Sequence, residues 1–135
     1  MRYRAGVVAG SDPVLMLTGP IPATEKVLRK AGLGIGDIGV FEVNEAFASV
    51  PLAGSRRRRR PGADEPLGGA ISLGHPLGGS GAVLLTRMIH HMRDNGIRYG
   101  LQTMCEGGGY GQRDSRRTRV LTGRRPGSEQ PGSML

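Results

Sequence analysis

Three short stretches of this 135-residue chain hold side chains able to do chemistry: Asn44 in VNEAF, His75 in GHPLGG and Cys105 in CEGGG. Imidazole takes up and releases protons near neutral pH. A thiol titrates near ~8.5 and becomes a nucleophile or proton carrier when its surroundings help it ionise. A carboxamide offers both a hydrogen-bond donor and an acceptor. The stretch GGAISLGHPLGGSGA (68–82) places His75 among six glycines. Glycine adds nothing to a core, so such density points to unusual backbone turns or close approach to a bound group. A phosphate-binding loop is excluded, because no lysine stands where that loop needs one.

The elements that must position these residues can be read locally. Pro20 and Pro22 suit a helix entrance, the residues from Thr24 to Ala31 are good helix formers, and Gly32 is a stop. Ile21, Val27, Leu28 and Ala31 share a face. Asp37 to Val43 alternates as a strand. Asn44-Glu45 breaks it before a short helix over 46–50, which puts Asn44 at a strand-to-helix junction. There an Asn acts as an N-cap, or as a polar group displayed at the carboxyl end of a strand. Ser80 can cap a strong helix in which Leu85, Met88, Ile89 and Met92 follow the helical period, and Asn95-Gly96 ends it. His90 and His91 point about 100° apart on that helix, which suits solvated side chains rather than one shared metal. Residues 99–104 read as a buried strand leading to Cys105.

Composition narrows the function classes. Hydrophobic residues make up 37% of the chain and aromatic residues 4%, with no tryptophan, so the core must be aliphatic. No run approaches the ~20 apolar residues of a membrane span. The single cysteine excludes an internal disulfide framework. With nothing arguing for export, a cytoplasmic location is expected. The net charge of +8 resembles a nucleic-acid signal, but its distribution is uneven. Residues 56–60 and 112–135 hold 11 of the 19 basic residues, and the remainder is near neutral.

Together, NEAFA (44–48), GGAISLGHPLGGSGA (68–82) and CEGGGYG (105–111) resemble the C-terminal signatures of the thiolase family, in order. DPVLMLTGPIPATEKVL (12–28) resembles the family's approach to the first of them. The resemblance covers roughly residues 11–52 and 67–111 and is closest to acetyl-CoA acetyltransferases and 3-ketoacyl-CoA thiolases. It implies an α/β fold, a mixed sheet with packed helices. It also implies acyl transfer between coenzyme A thioesters, which serve as substrates, with no further cofactor and no metal. By resemblance, His75 activates the nucleophilic cysteine and serves one oxyanion hole, where Asn44 holds a water. Cys105 is the acid/base at the α-carbon, and the backbone N–H of Gly107 serves the second hole.

Three departures follow. The family carries its nucleophile in the N-terminal half, whereas this chain has Cys105 alone, so it reads as about the last third of a thiolase, inactive by itself. Residues 54–66 form an aberrant Arg-rich loop within a domain spanning 1–111. Residues 112–135 read as a disordered basic tail where the family has an apolar strand, as a shifted reading frame would produce. The last strand is thus expected to be degraded, leaving an open sheet edge. Partners implied are acyl-CoA or coenzyme A, with an N-terminal thiolase half or a further copy as protein partner, and neither membrane nor nucleic acid. The alternative function is nucleic-acid or anionic-surface binding through the arginine segments.

Overall fold

The structure is a computed structural model that describes residues 1–14, 17–55, 66–105 and 116–122. Strand β1 (Arg2–Ala9) leads to helix α1 (Pro20–Ala31), and a 3-10 turn (Ile35–Asp37) precedes β2 (Val40–Val43). Two short helices, α2 (Ser49–Ser55) and α3 (Ala70–Leu73), precede the long helix α4 (Ser80–Asp94). Strands β3 (Tyr99–Thr103) and β4 (Arg116–Thr122) complete the sequence of elements. The strands form one mixed sheet in the order β1-β4-β3-β2, with β2 and β3 parallel and the other two pairs antiparallel.

The helices lie on opposite faces of the sheet because each strand alternates its side chains between them. On one face Val27, Leu28 and Ala31 of α1 pack with Phe41, Val43, Leu101 and Val120. On the other, Met88 and Met92 of α4 pack with Val40 and Leu121. The expected α/β architecture and the bounds of α1 and α4 agree with the sequence reading. Gly32 ends α1 with a left-handed φ of 64°, and Leu33 N–H reaches back to the Leu28 carbonyl at 3.0 Å.

Two expectations are corrected. Residues 116–122, read as part of a disordered tail, form β4, which sits inside the sheet and pairs on both sides. Arg-rich composition suggested disorder, yet two backbone ladders and one apolar pair suffice to order the segment. Val120 is fully buried in the α1-side core and Leu121 is buried in the α4-side core. The expected loss of the last strand is therefore overturned as well. The edge strands are β1 and β2, and α1 guards β1: Lys26 and Lys30 donate to the carbonyls of Val8 and Gly6 at 3.1 and 3.2 Å. Residues 56–65 and the rest of 112–135 lie outside the described residues.

The place of β4 has a measurable consequence. Val120→Ala is expected to lower unfolding free energy by about 2 kcal/mol, read from urea denaturation of the full chain, and β4 amides should exchange slowly. A disordered tail would leave stability within about 0.5 kcal/mol of the parent.

Candidate functional site

The parallel pairing of β2 and β3 brings their carboxyl ends together, where α/β proteins display functional groups. Asn44 extends the ladder by one rung, donating its N–H to the Thr103 carbonyl at 3.0 Å. Helix α2 begins only at Ser49, so Asn44 is not its N-cap, and of the two readings the strand-end display is the one that applies. The Asn44 side chain is 3% exposed, and its Oδ1 accepts no hydrogen bond from the described residues. It lines a small pocket with Gly74, Pro76, Ser80 and Leu84. A buried acceptor left without a donor costs about 1–3 kcal/mol, so this pocket calls for a donor such as a water or a ligand.

His75 sits between Gly74 and Pro76, which both line this pocket. Its loop uses glycine where a Cβ would be strained, with φ of 87° at Gly74 and 77° at Gly78. His75 is exposed, and its Nδ1 lies 2.7 Å from the Oγ of Ser80. Gly79, not Ser80, occupies the N-cap of α4. The Ser80 hydroxyl, expected to cap the helix, is turned toward His75 instead.

The loop is tied down from three sides. Ile71 N–H donates to Glu45 Oε2 at 2.8 Å, and Arg87 donates to the carbonyls of Leu67 and Gly68. Gln102 of β3 donates from Nε2 to the Gly81 carbonyl at 2.8 Å, seating the first turn of α4 on the sheet.

Glu42, two residues before Asn44 on β2, was not singled out in the sequence. It is 1% exposed, and neither carboxylate oxygen has a hydrogen-bond partner among the described residues. Desolvation pushes its pKa from 4.5 up to about 7; the Arg87 charge opposes this and Glu45 adds to it. The one available signal was a carboxylate inside the short strand VFEV, which the reading assigned to an ordinary alternation.

Cys105 is buried in the α1-side cluster with Val43 and Val50. It follows β3 as Asn44 follows β2, but it is not among the residues lining the pocket beside Asn44 and Ser80. Gly107 lies outside the described residues. A larger pocket between α1 and β2 is lined mainly by apolar side chains such as Leu17, Ile21, Leu28 and Phe41. None of the described residues singled out for chemistry lines it. Among the described residues no group of three His, Cys, Asp or Glu could hold a metal ion, and no helix is long and apolar enough to cross a membrane.

Comparison with known proteins agrees with this architecture. The family described as "Thiolase, C-terminal domain" matches residues 1–114. A steroid 3-ketoacyl-CoA thiolase of Mycobacterium tuberculosis, FadA6, is 57% identical over 100 residues, covering 73% of this chain and 25% of that protein. A 3-ketoacyl-CoA thiolase of Pseudoalteromonas translucida is 49% identical over 114 residues, covering 82% of this chain and 29% of its own length. The crystal structure of human mitochondrial 3-ketoacyl-CoA thiolase superposes with a TM-score of 0.81 at 37% identity, covering 90% of this chain and 30% of that one. The chain thus spans between a quarter and a third of the length of these relatives.

Glu42 makes stability depend on pH. The unfolded chain releases this proton near 4.5 and the folded chain near 7. Between those values the folded state binds more protons, so stability falls as pH rises and the penalty is complete above 7. Glu42→Gln is expected to stabilise the chain by about 3 kcal/mol at alkaline pH and to bring no gain below the unfolded pKa. Thermal melts of both proteins across that range check it; parallel pH profiles would refute it.

Proposed function

Because the chain belongs to the thiolase family through its C-terminal domain, we propose that it supplies the histidine-bearing part of an acyl-transfer site for 3-ketoacyl-CoA thioesters. The observation that carries this reading is that Ser80, which holds the imidazole of His75, shares a pocket with Asn44, whose Oδ1 has no partner among the described residues. In this role His75 draws the proton from a cysteine thiol, and the thiolate attacks the thioester carbonyl or the 3-keto carbon. A water held on Asn44 Oδ1 donates, together with His75, to the oxygen that gains charge. Cys105 moves the α-proton, and the N–H of Gly107 serves the second oxygen. Coenzyme A thioesters are the substrates, with no further cofactor.

The chain has one cysteine, so the attacking thiol has to come from elsewhere. The partner we propose is the part of a thiolase that this chain does not span. Leu67, Ile71, Leu73, Leu77 and Val83 are all exposed around the His75 loop, and Leu77 is 90% exposed. Apolar side chains gathered next to a site mark a surface that another body covers. The shared names of the relatives support the substrate class, and they lend nothing to binding of nucleic acid through the arginine segments.

An acetoacetyl-CoA thiolysis assay tests the proposal. The pure chain is expected to show no turnover above background. Turnover should appear when the separately produced remainder of a related 3-ketoacyl-CoA thiolase is added. His75→Ala should then lower the rate by about 10²- to 10⁴-fold. Turnover by the chain alone would overturn its incompleteness, and an undiminished rate in the His75→Ala mixture would overturn the role of His75.

A further inference from the structure

We infer that Ser80 is a positioning residue that holds His75 in the tautomer carrying its proton on Nδ1, leaving the lone pair on Nε2. The inference rests on the reading of His75 as the base and specifies which of its nitrogens does the work. Ser80 is buried and makes two side-chain contacts. Its Oγ lies 2.7 Å from His75 Nδ1 and 3.1 Å from the Pro76 carbonyl oxygen. A hydroxyl has one hydrogen to give, and a carbonyl can only accept. The contact to Pro76 is therefore a hydrogen bond only when Ser80 donates there. The shorter contact to His75 is then a hydrogen bond only when Nδ1–H donates to Oγ. A single arrangement satisfies both, and it leaves Nε2 unprotonated.

This arrangement has a mechanistic consequence. Nδ1–H donates to Ser80 both in neutral imidazole and in imidazolium. A proton can thus arrive at Nε2 and leave it without any turn of the Ser80 hydroxyl or flip of the ring. The Pro76 carbonyl also receives the N–H groups of Gly79 and Ser80, each at 3.0 Å. The acceptor that orients the hydroxyl is thereby itself held by the first turn of α4. The spacing of five residues between His75 and Ser80 follows from that turn, since Pro76 to Ser80 closes one helical hydrogen bond.

The same chain contains an internal contrast. Asn95 donates from Nδ2 toward His91 Nδ1 at 3.2 Å and to the His91 carbonyl at 2.9 Å. His91 Nδ1 is thus an acceptor, and its proton belongs on Nε2. Two histidines of one protein should show opposite tautomers.

Long-range 1H–15N spectra of the full chain, labelled at histidine and recorded about two units above the ordinary histidine pKa, read this directly without substrate. A His75→Gln variant assigns the signals. The expected result is a protonated Nδ1 at His75 and a protonated Nε2 at His91. Ser80→Ala should shift the His75 tautomer ratio toward Nε2–H by about fivefold, and Ser80→Thr, which keeps the hydroxyl, should restore it. A protonated Nε2 at His75 in the parent chain overturns the inference, as does an unchanged ratio in folded Ser80→Ala. Should that variant fail to fold, the parent spectrum decides alone. None of these outcomes touches the thiolysis result, so failure here and failure of the functional proposal are distinguishable.

Discussion

The close approach of α4 to β3 is the constraint on which the rest depends. A Cβ at Gly100 would stand 2.5 Å from the Met92 sulfur and 3.1 Å from both Met88 Sδ and Val40 Cγ1. Glycine therefore lets the helix lie directly on the strand. At the helix's other end a Cβ on Gly81 would meet the Met104 sulfur at 3.3 Å, and the Gly81 carbonyl accepts from Gln102. With the helix fixed at both ends, its first turn is set beside the carboxyl ends of β2 and β3. Asn44, Ser80 and the His75 loop meet there as a result of packing some distance away.

The same approach buries a polar line that the sheet would otherwise show to water. Glu42, Asn44 and Gln102 are each at most 3% exposed. Gln102 finds its partner in the Gly81 carbonyl, whereas Glu42 and the Asn44 Oδ1 have none among the described residues. Buried groups of this kind are tolerated where the surrounding structure outweighs their desolvation, and they concentrate at functional sites. Arg87 links the two halves of the arrangement. Its charge opposes the rise in the Glu42 pKa, and its guanidinium grips the Leu67 and Gly68 carbonyls at the entrance of the glycine loop.

Much of the scaffold was legible because it rests on local chemistry. The helical period and the glycine stop delimit α1, and Asn95-Gly96 ends α4, with Gly96 at a φ of 62°. The glycines around His75 were read as unusual turns, and Gly68, Gly74 and Gly78 all have positive φ. Strand β4 was missed because Arg116, Arg117 and Arg119 dominate its composition, while the two ladders that order it come from β1 and β3, distant in sequence. The Ser80 hydroxyl was assigned to the helix end, since sequence position cannot tell a cap from a partner five residues back. The N-cap option for Asn44 failed because α2 starts at Ser49, three residues later than the reading placed it.

By itself the sequence determined the family, the α/β class and the residue types available for chemistry. Short motifs and short-range periodicity record what neighbouring residues require of one another. Only the tertiary structure decided that β4 lies inside the sheet, that Glu42 is shut away from water, and that Ser80 faces His75. Each of these depends on which face of a strand or helix another element covers. Burial is what turns an ordinary carboxylate, amide or hydroxyl into a group with a shifted pKa, an unmet acceptor or a fixed partner.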